Sequence, residues 1–333
     1  MPKGNDGASA RVAPAQANGH SRDVPSSARD VSGPARDVPV DGATRAVLRK
    51  RFALNQSVAP HMTPEALIDL AAELGLGGVE LHADITPLAR GTHPLTARTA
   101  RALAQRSLDA GVPVLSLNTL ANFDDWTHAR AEQAMRLVSL AEACGARALV
   151  LAPRVEANPS SPAKRGMGVH TALRALAPML AEAGLMGLIE PLGHLGATLR
   201  HKREARAAMV EADGPFGLVH DTFHHALSGD VETFAIQTAL VQVSGIGGVT
   251  PIVDLRDRDR TMLAGSELLD GPDRIDNLGQ IARLVSEGYA GAFSFEPFAP
   301  AVHTLADPSD AILRSIEALE GALTARAGMA RVA

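Results

Sequence analysis

Three short stretches carry the residues that could do chemistry. Phe216 to His225 runs Phe-Gly-Leu-Val-His-Asp-Thr-Phe-His-His, an apolar segment of strand type that delivers Asp221, with His224 and His225 three and four residues later. Gly187-Leu-Ile-Glu190-Pro-Leu-Gly193 before it and Ala292-Phe-Ser-Phe-Glu296-Pro-Phe298 after it each end an apolar run in one acid. Carboxylates and imidazoles are the side chains that bind metals and move protons. Three carboxylates gathered in a partly desolvated place repel one another, and a divalent cation resolves that conflict. An oxygen-rich set suits manganese, magnesium or another hard-to-borderline ion better than a thiophilic one. The competing account is that each acid pairs with a nearby Arg or caps the following helix. It weakens when all three acids stand at corresponding places, two of them followed by Pro.

These residues need elements that bring their chain positions together, and the pattern from residue 52 onward supplies them. Phe52 to Gln56 has strand character; Thr63-Pro64 then offers an N-cap and a first-turn proline, apolar residues follow at 67, 70, 71 and 74, and Gly75 closes the helix. The unit recurs. Strands are expected at 78–82, 112–118, 146–152, the segments ending in Glu190 and Asp221, 240–245, and the segment ending in Glu296. Helices are expected at about 95–110 and 128–144, through Leu173, Leu176 and Leu180, at about 201–211, a short one near 230–238, through Leu278 to Val285, and from Asp307-Pro308 through Leu319. Eight strand-then-helix units with near-continuous apolar strands predict a (β/α)8 TIM barrel. In that fold the chemistry lies at the C-terminal ends of the strands. The positions to inspect are then Asn55, Gln56, His82, Asp84, Asn118, Pro153, Glu190, Asp221, Gln242 and Glu296.

Around that mouth, His224 is placed to face inward as a hydrogen-bonding or proton-transfer partner, whereas His225 reads as surface. His194, after Pro191-Leu-Gly193, is a candidate substrate contact. The loop Asp254-Leu-Arg256-Asp257-Arg258-Asp259-Arg260 is either a solvated surface or a lid whose arginines grip substrate oxygens. Phe123 and Trp126, in a chain with only 3% aromatic residues, suggest an apolar wall for a sugar-like ring, or packing beneath a loop.

Composition sets the outer bounds. The 333-residue chain carries a formal charge of -5 and 46% hydrophobic residues, ample for a core and contrary to the basic face of a nucleic-acid binder. The lone Cys144 excludes an internal disulfide and a cysteine-based zinc site, and its helical surroundings make it an inert core thiol. No apolar run approaches the ~18 residues of a membrane span, and the N-terminus lacks the hydrophobic segment of a signal peptide, which places the expected compartment in the cytoplasm. Residues 1–47 are rich in Pro, Gly, Ser, Ala, Asp and Arg, with Arg-Asp-Val recurring at 22, 29 and 36, and are expected to be a disordered low-complexity tail. The barrel is expected over 48–325 and a flexible C-terminus over 326–333.

At these residues the chain resembles the inosose isomerase (2-keto-myo-inositol isomerase) group of the xylose-isomerase-like sugar isomerase and epimerase barrels. The likeness rests on Leu-Asn-Gln at 54–56, Val-Glu-Leu-His at 79–82, Ser-Leu-Asn at 116–118, Gly-Ala-Arg-Ala-Leu-Val-Leu at 145–151 and Glu-Pro-Leu-Gly at 190–193. Asp-Thr-Phe-His-His at 221–225, Val-Ser-Gly at 243–245, Asp-Arg at 259–260 and Phe-Glu-Pro-Phe at 295–298 complete it. The resemblance implies a metal held by Glu190, Asp221, position 242 and Glu296, most simply Mn2+, with Mg2+, Co2+ or Zn2+ as alternatives. Position 242 is Gln where the family carries His, and a glutamine carbonyl binds zinc- or cobalt-like ions less strongly than imidazole does.

The implied reaction moves a ketone to the adjacent carbon of a cyclic polyol through a cis-enediolate, converting 2-keto-myo-inositol to 1-keto-D-chiro-inositol in inositol catabolism. Glu190, Glu296 and His224 are the expected proton-transfer groups, and His194, Arg260, Asn118 and Trp126 the expected substrate contacts. The rivals are a ketose or keto-sugar 3-epimerase on the same barrel and a non-catalytic sugar-binding or regulatory protein. The partner in each case is a small polyhydroxylated molecule, with neither nucleic acid nor membrane involved and homo-oligomer formation left open.

Overall fold

The computed structural model describes residues 42–83, 95–263 and 271–329. The expected N-terminal tail up to residue 41, with its Arg-Asp-Val repeats, and Asp84 lie outside the described residues. A short helix, α1 (Gly42–Arg49), leads into eight strands that close on themselves in the order β1 to β8. They are β1 (Phe52–Asn55), β2 (Gly78–His82), β3 (Val114–Ala121), β4 (Ala148–Ala152), β5 (Met186–Ile189), β6 (Phe216–Asp221), β7 (Thr238–Val243) and β8 (Ala292–Phe295). Each strand pairs in parallel with its neighbours, and β8 returns to β1 through Phe293 beside Phe52.

The connecting helices are α2 (Pro64–Glu73), α3 (Ala97–Ala110), α4 (His128–Ala143), α5 (Pro162–Glu182), α6 (Lys202–Ala212), α7 (Thr222–Ser228) and α8 (Asn277–Ser286). A one-turn α9 (Pro300–His303) and α10 (Ser309–Met329) close the chain. The local signals act as expected at α2, where Pro64 opens the helix and the Thr63 side chain accepts from the Ala66 N–H. No helix among the described residues is long and apolar enough to cross a membrane.

Three boundaries differ from the sequence pattern. Helix α1 begins inside the segment expected to be a featureless tail, with a basic surface and Val47 exposed. The helix expected near 230–238 is instead α7, starting immediately after Asp221. It forms there because Asp221 serves as N-cap, its Oδ1 accepting the His224 N–H at 2.8 Å, and Gly229 ends it with a positive φ of 73°. Helix α10 runs to Met329, into the terminus expected to be flexible.

The core fills the space between barrel and helices. Phe52, Phe293 and Phe295 interlock at the β1–β8 closure, with ring centroids 6.0 Å apart and Phe52 nearly parallel to Phe295. Cys144 is buried among these apolar contacts, as an inert thiol should be. Truncation of fully buried Phe52 removes contacts from the seam that closes the barrel. Phe52→Ala is expected to cost about 3–5 kcal/mol in a urea unfolding curve; a loss below about 1 kcal/mol would show that this seam is not limiting.

Behind β6 the layer is polar. His220 points away from the mouth because it alternates with Asp221, and it meets Lys202 of α6, His225 of α7 and Gln280 of α8. Lys202 Nζ contacts His220 Nδ1 and lies 3.2 Å from His225 Nδ1. His225, expected at the surface, is therefore part of this packing. Burial pulls the Lys202 amine from 10.5 down to about 7, opposed by Asp230 and Asp221. The sign follows from linkage: between pH 7 and 10.5 the unfolded chain holds this proton and the folded chain releases it, so stability rises with pH across that window. Unfolding of the wild type and Lys202→Met in urea at pH 7 and pH 10 should show the wild type gaining on the variant as pH rises. A constant difference would mean that the buried amine does not titrate in this range.

Candidate active site

Successive strand ends deliver the acids to one mouth. Glu190 follows β5 and Glu296 follows β8, each continuing its ladder by one residue: the Glu190 N–H donates to Leu151 O and the Glu296 N–H to Val243 O. Asp221 is the last residue of β6. A fourth acid, Glu80 in the middle of β2, was overlooked in the sequence because it sits inside an ordinary-looking strand; it is fully buried. All four are less than a tenth exposed.

One cation is buried among them. Arg260 Nη2 donates to Asp221 Oδ2 at 2.5 Å and to Glu296 Oε2 at 2.7 Å, its Nε donates to Ser244 Oγ, and Nη1 donates to Asp257 Oδ1. Phe223 and Phe298 flank the guanidinium at 5.1 and 4.8 Å, excluding water from it. Arg260, expected to hold substrate, is 1% exposed and holds the acids. The opposing accounts of Asp221 in the sequence, pairing with arginine and capping a helix, are both realised, one on each oxygen.

The other predicted residues separate into two sets. Asn55 Nδ2 and Gln242 Nε2 both donate to Glu296 Oε1, at 2.9 and 3.1 Å. Gln242 also donates to Glu80, which accepts in addition from Ser116 Oγ and Asn118 Nδ2. Asn118, expected as a substrate contact, thus supports Glu80. Phe123 is fully buried in the core, and half-buried Trp126 packs against it, so the pair forms no exposed wall. Packing beneath a loop is the outcome there.

The second set faces open space. A cavity of about 400 Å3 is lined by His194, His224, Glu156, Arg256 and Asp257 together with Val155, Leu192, Leu195 and Val253. That volume lies within the range of small-molecule sites. Gly193 makes the wall possible, since a Cβ there would stand 2.2 Å from His224 O and 2.5 Å from Leu227 Cβ. Arg200, unnoticed in the sequence, fastens the same junction by donating to Gly193 O and Leu227 O. The rings of His194 and His224 meet edge to face at 5.3 Å. The loop carrying Arg256 and Asp257 is anchored by Leu255, which is buried with Phe223, Leu227, Ile246 and Ile275.

Glu190 lies between the two sets. It accepts no side-chain hydrogen bond among the described residues, and its nearest partner is His224 Nε2, at 3.8 Å from Oε1. Burial, reinforced by the Asp221 charge, pushes its carboxyl up to about 8. Burial also holds His224 at about 4, so its imidazole is neutral, and His224 Nδ1 is buried without a hydrogen-bond partner among the described residues. Asp221 stays below the usual carboxylate range: burial opposes its charge, but Arg260 and the His224 N–H favour it.

A cation does not fit the predicted set of four as it stands. Both Glu296 oxygens are taken by Asn55, Gln242 and Arg260, and Gln242 turns hydrogen-bond donors toward the acids it would have to join as a ligand. Metal-compatible groups are present nonetheless: Glu190, Asp221 and His224 bring ligand atoms within 4.8 Å of one another, as do His194, His224 and Asp257.

Comparison with known proteins agrees with this architecture. No curated protein matches in sequence. Among solved structures, a xylose isomerase domain containing protein from Salmonella typhimurium LT2 shares 30% identity, covers 81% of this chain and 97% of its own, and superposes with a TM-score of 0.71. The IolI protein with a bound zinc atom shares 17% identity over 82% of this chain and 96% of its own, with a TM-score of 0.67. An L-ribulose 3-epimerase shares 17% over 85% and 98%, with a TM-score of 0.61. The family model for the xylose isomerase-like TIM barrel matches residues 68–322, and with the closed eight-stranded barrel around the acids at its mouth, the chain belongs to that family.

Proposed function

We propose that this protein is an isomerase of cyclic polyol ketones, moving the carbonyl to the neighbouring carbon, with 2-keto-myo-inositol to 1-keto-D-chiro-inositol as the reaction to test. The observation that carries this reading is the placement of Glu190: a carboxyl that accepts no side-chain hydrogen bond among the described residues, 3.8 Å from the neutral imidazole of cavity-lining His224. In its ionised form such a group can take a proton from the carbon beside a ketone and return it to the former carbonyl carbon through a cis-enediolate, while the hydroxyl proton of the first carbon passes to the former carbonyl oxygen. One group serving both carbons keeps the transfer on one face of the ring.

The remaining residues support that step. Glu296, held by three donors, is better suited to fixing Arg260 than to carrying a proton. Arg260 in turn keeps Asp221 ionised and in place. His194 and His224 offer ring nitrogens to the oxygens of the substrate, while Val155, Leu192, Leu195 and Val253 match the C–H faces of a polyol ring. A divalent ion, with Mn2+ as the first choice, would polarise the ketone there once Asp221, whose oxygens both have partners, gave up Arg260 or the His224 N–H.

Several relatives are named as epimerases, of L-ribulose, D-psicose and a 3-keto-D-glucoside. Epimerisation beside a ketone also begins by removing the proton on the adjacent carbon, so the product decides between the two outcomes. Proton NMR of scyllo-inosose in deuterated water, with and without Mn2+, should show deuterium entering beside the ketone and a new ketone signal. Glu190→Gln should slow the exchange at least about 100-fold. Unchanged exchange in that variant would remove Glu190 from the role, and no exchange under any condition would remove the inosose reading.

A further inference from the structure

A second cavity lies between α5 and α6, apart from the acids of the mouth. Its volume is about 220 Å3, smaller than the sites that take drug-sized ligands and suited to a molecule of amino-acid size. Val169 of α5, Leu199 of the segment after β5 and Ala208 of α6 are buried and give it an apolar lining. Thr198 joins them, its hydroxyl donating to Arg154 O at 3.0 Å. Two opposite charges stand on the facing helices, Arg165 on α5 and Glu204 on α6.

Gly166 shows that the cavity is space kept open. Glycine inside a helix weakens it, so a glycine there calls for a reason. Gly168, two residues on, has a packing reason: a Cβ would stand 2.6 Å from Asp124 O. Gly166 has none, since a Cβ there would meet nothing within 4 Å. Its missing side chain leaves room at the cavity wall.

The charges are incomplete as well. The Arg165 guanidinium donates through Nη1 to Ser160 O and makes no ion pair among the described residues. Glu204 accepts only from the His201 N–H there, at 3.5 Å. Farther along the same two helices His170 and Glu211 approach to 3.2 Å, yet Arg165 and Glu204 do not pair. A ligand that carries both charges completes each of them, whereas a singly charged one is opposed by the like charge on one wall.

We propose that this cavity binds a small zwitterion of the aliphatic α-amino acid class, its carboxylate on Arg165, its ammonium on Glu204 and its apolar body on Val169, Leu199 and Ala208. The site has a route to the mouth. Residues 194–199 border both cavities: His194, Leu195 and Gly196 line the first, Thr198 and Leu199 the second. Between them Ala197 pairs with Val155, and the Glu156 N–H donates to Gly196 O at 2.8 Å. A ligand beside Thr198 therefore bears on the wall that carries His194, and acts as an effector of that cavity.

The full chain, 13C-labelled at its histidine rings, is titrated with L-leucine and separately with 4-methylpentanoate and 3-methylbutylamine, which keep the apolar body and lose one charge each. L-leucine should bind saturably in ligand-observed NMR and shift the His194 ring signal with the same midpoint, and the other two probes should bind more weakly. Gly166→Leu fills the cavity from its own wall and should lose both effects. It should melt no lower than the wild type, because a glycine leaves a helix interior. Arg165→Gln keeps the cavity open and should lose the preference for L-leucine over 3-methylbutylamine.

No saturable binding of L-leucine, equal binding of the three probes, or binding unchanged in Gly166→Leu would each overturn the site. A His194 signal that stays still at saturation would overturn its link to the mouth. The three wild-type titrations decide the ligand class even if a variant fails to fold. No ketone enters the measurement, so its outcome is independent of the isomerisation proposed above.

Discussion

The ion pairs of Arg260 with Asp221 and Glu296 are the interaction on which the mouth of this barrel depends. Four carboxylates converge there with almost no access to water. Without a buried positive charge their mutual repulsion and desolvation would force them to protonate or move apart. The guanidinium reaches both acids through one nitrogen, and two aromatic rings and the Ser244 hydroxyl keep it in place. The same acids raise the affinity of Arg260 for its proton, so the charge is permanent at any working pH. The pair accordingly sets which carboxylates are occupied and which remain available: Glu296 is occupied, Asp221 is shared, and Glu190 is available.

Backbone geometry turns that electrostatic arrangement into a site. Parallel strands all point the same way, so residues at their ends meet at one rim regardless of their separation in the chain. Asp221 adds a second function by capping α7, which starts without a loop and carries His224 back over the mouth. Gly193 then allows the segment after β5 to lie directly on α7, and Arg200 ties the two together. His194 and His224 meet as a result of this close approach. The chemistry of the cavity wall thus depends on a missing side chain and on an arginine outside the wall itself.

The relation between sequence and structure varies from one residue to another. Glu190, Asp221 and Glu296 could be located because each ends an apolar run, a periodic signal that reflects local backbone geometry. His224 was found through its spacing from Asp221. Glu80 gave no such signal, because a buried acid within a strand resembles the exposed polar position of an alternating strand. Asn118 and Arg260 were recognised as mouth residues, but their partners are acids from other strands, and pairing across the barrel leaves no trace in local spacing. Phe123 and Trp126 show the same limit from the apolar side: an aromatic residue in a loop looks alike whether it faces a ligand or the core.

The sequence by itself determined the eightfold alternation, the direction of the strands and the rim where the acids gather, because these follow from local periodicity, turn chemistry and the burial of apolar runs. Tertiary structure decided how the gathered charges are divided. Gln242 directs its amide to Glu80 and Glu296, Arg260 takes two of the four carboxylates, and Glu190 is left beside His224 with no side-chain donor among the described residues. Those choices depend on distances of about 3 Å between residues brought together from different strands. Electrostatic energy in a buried site changes steeply over such distances, whereas a linear pattern records only which strand each residue ends.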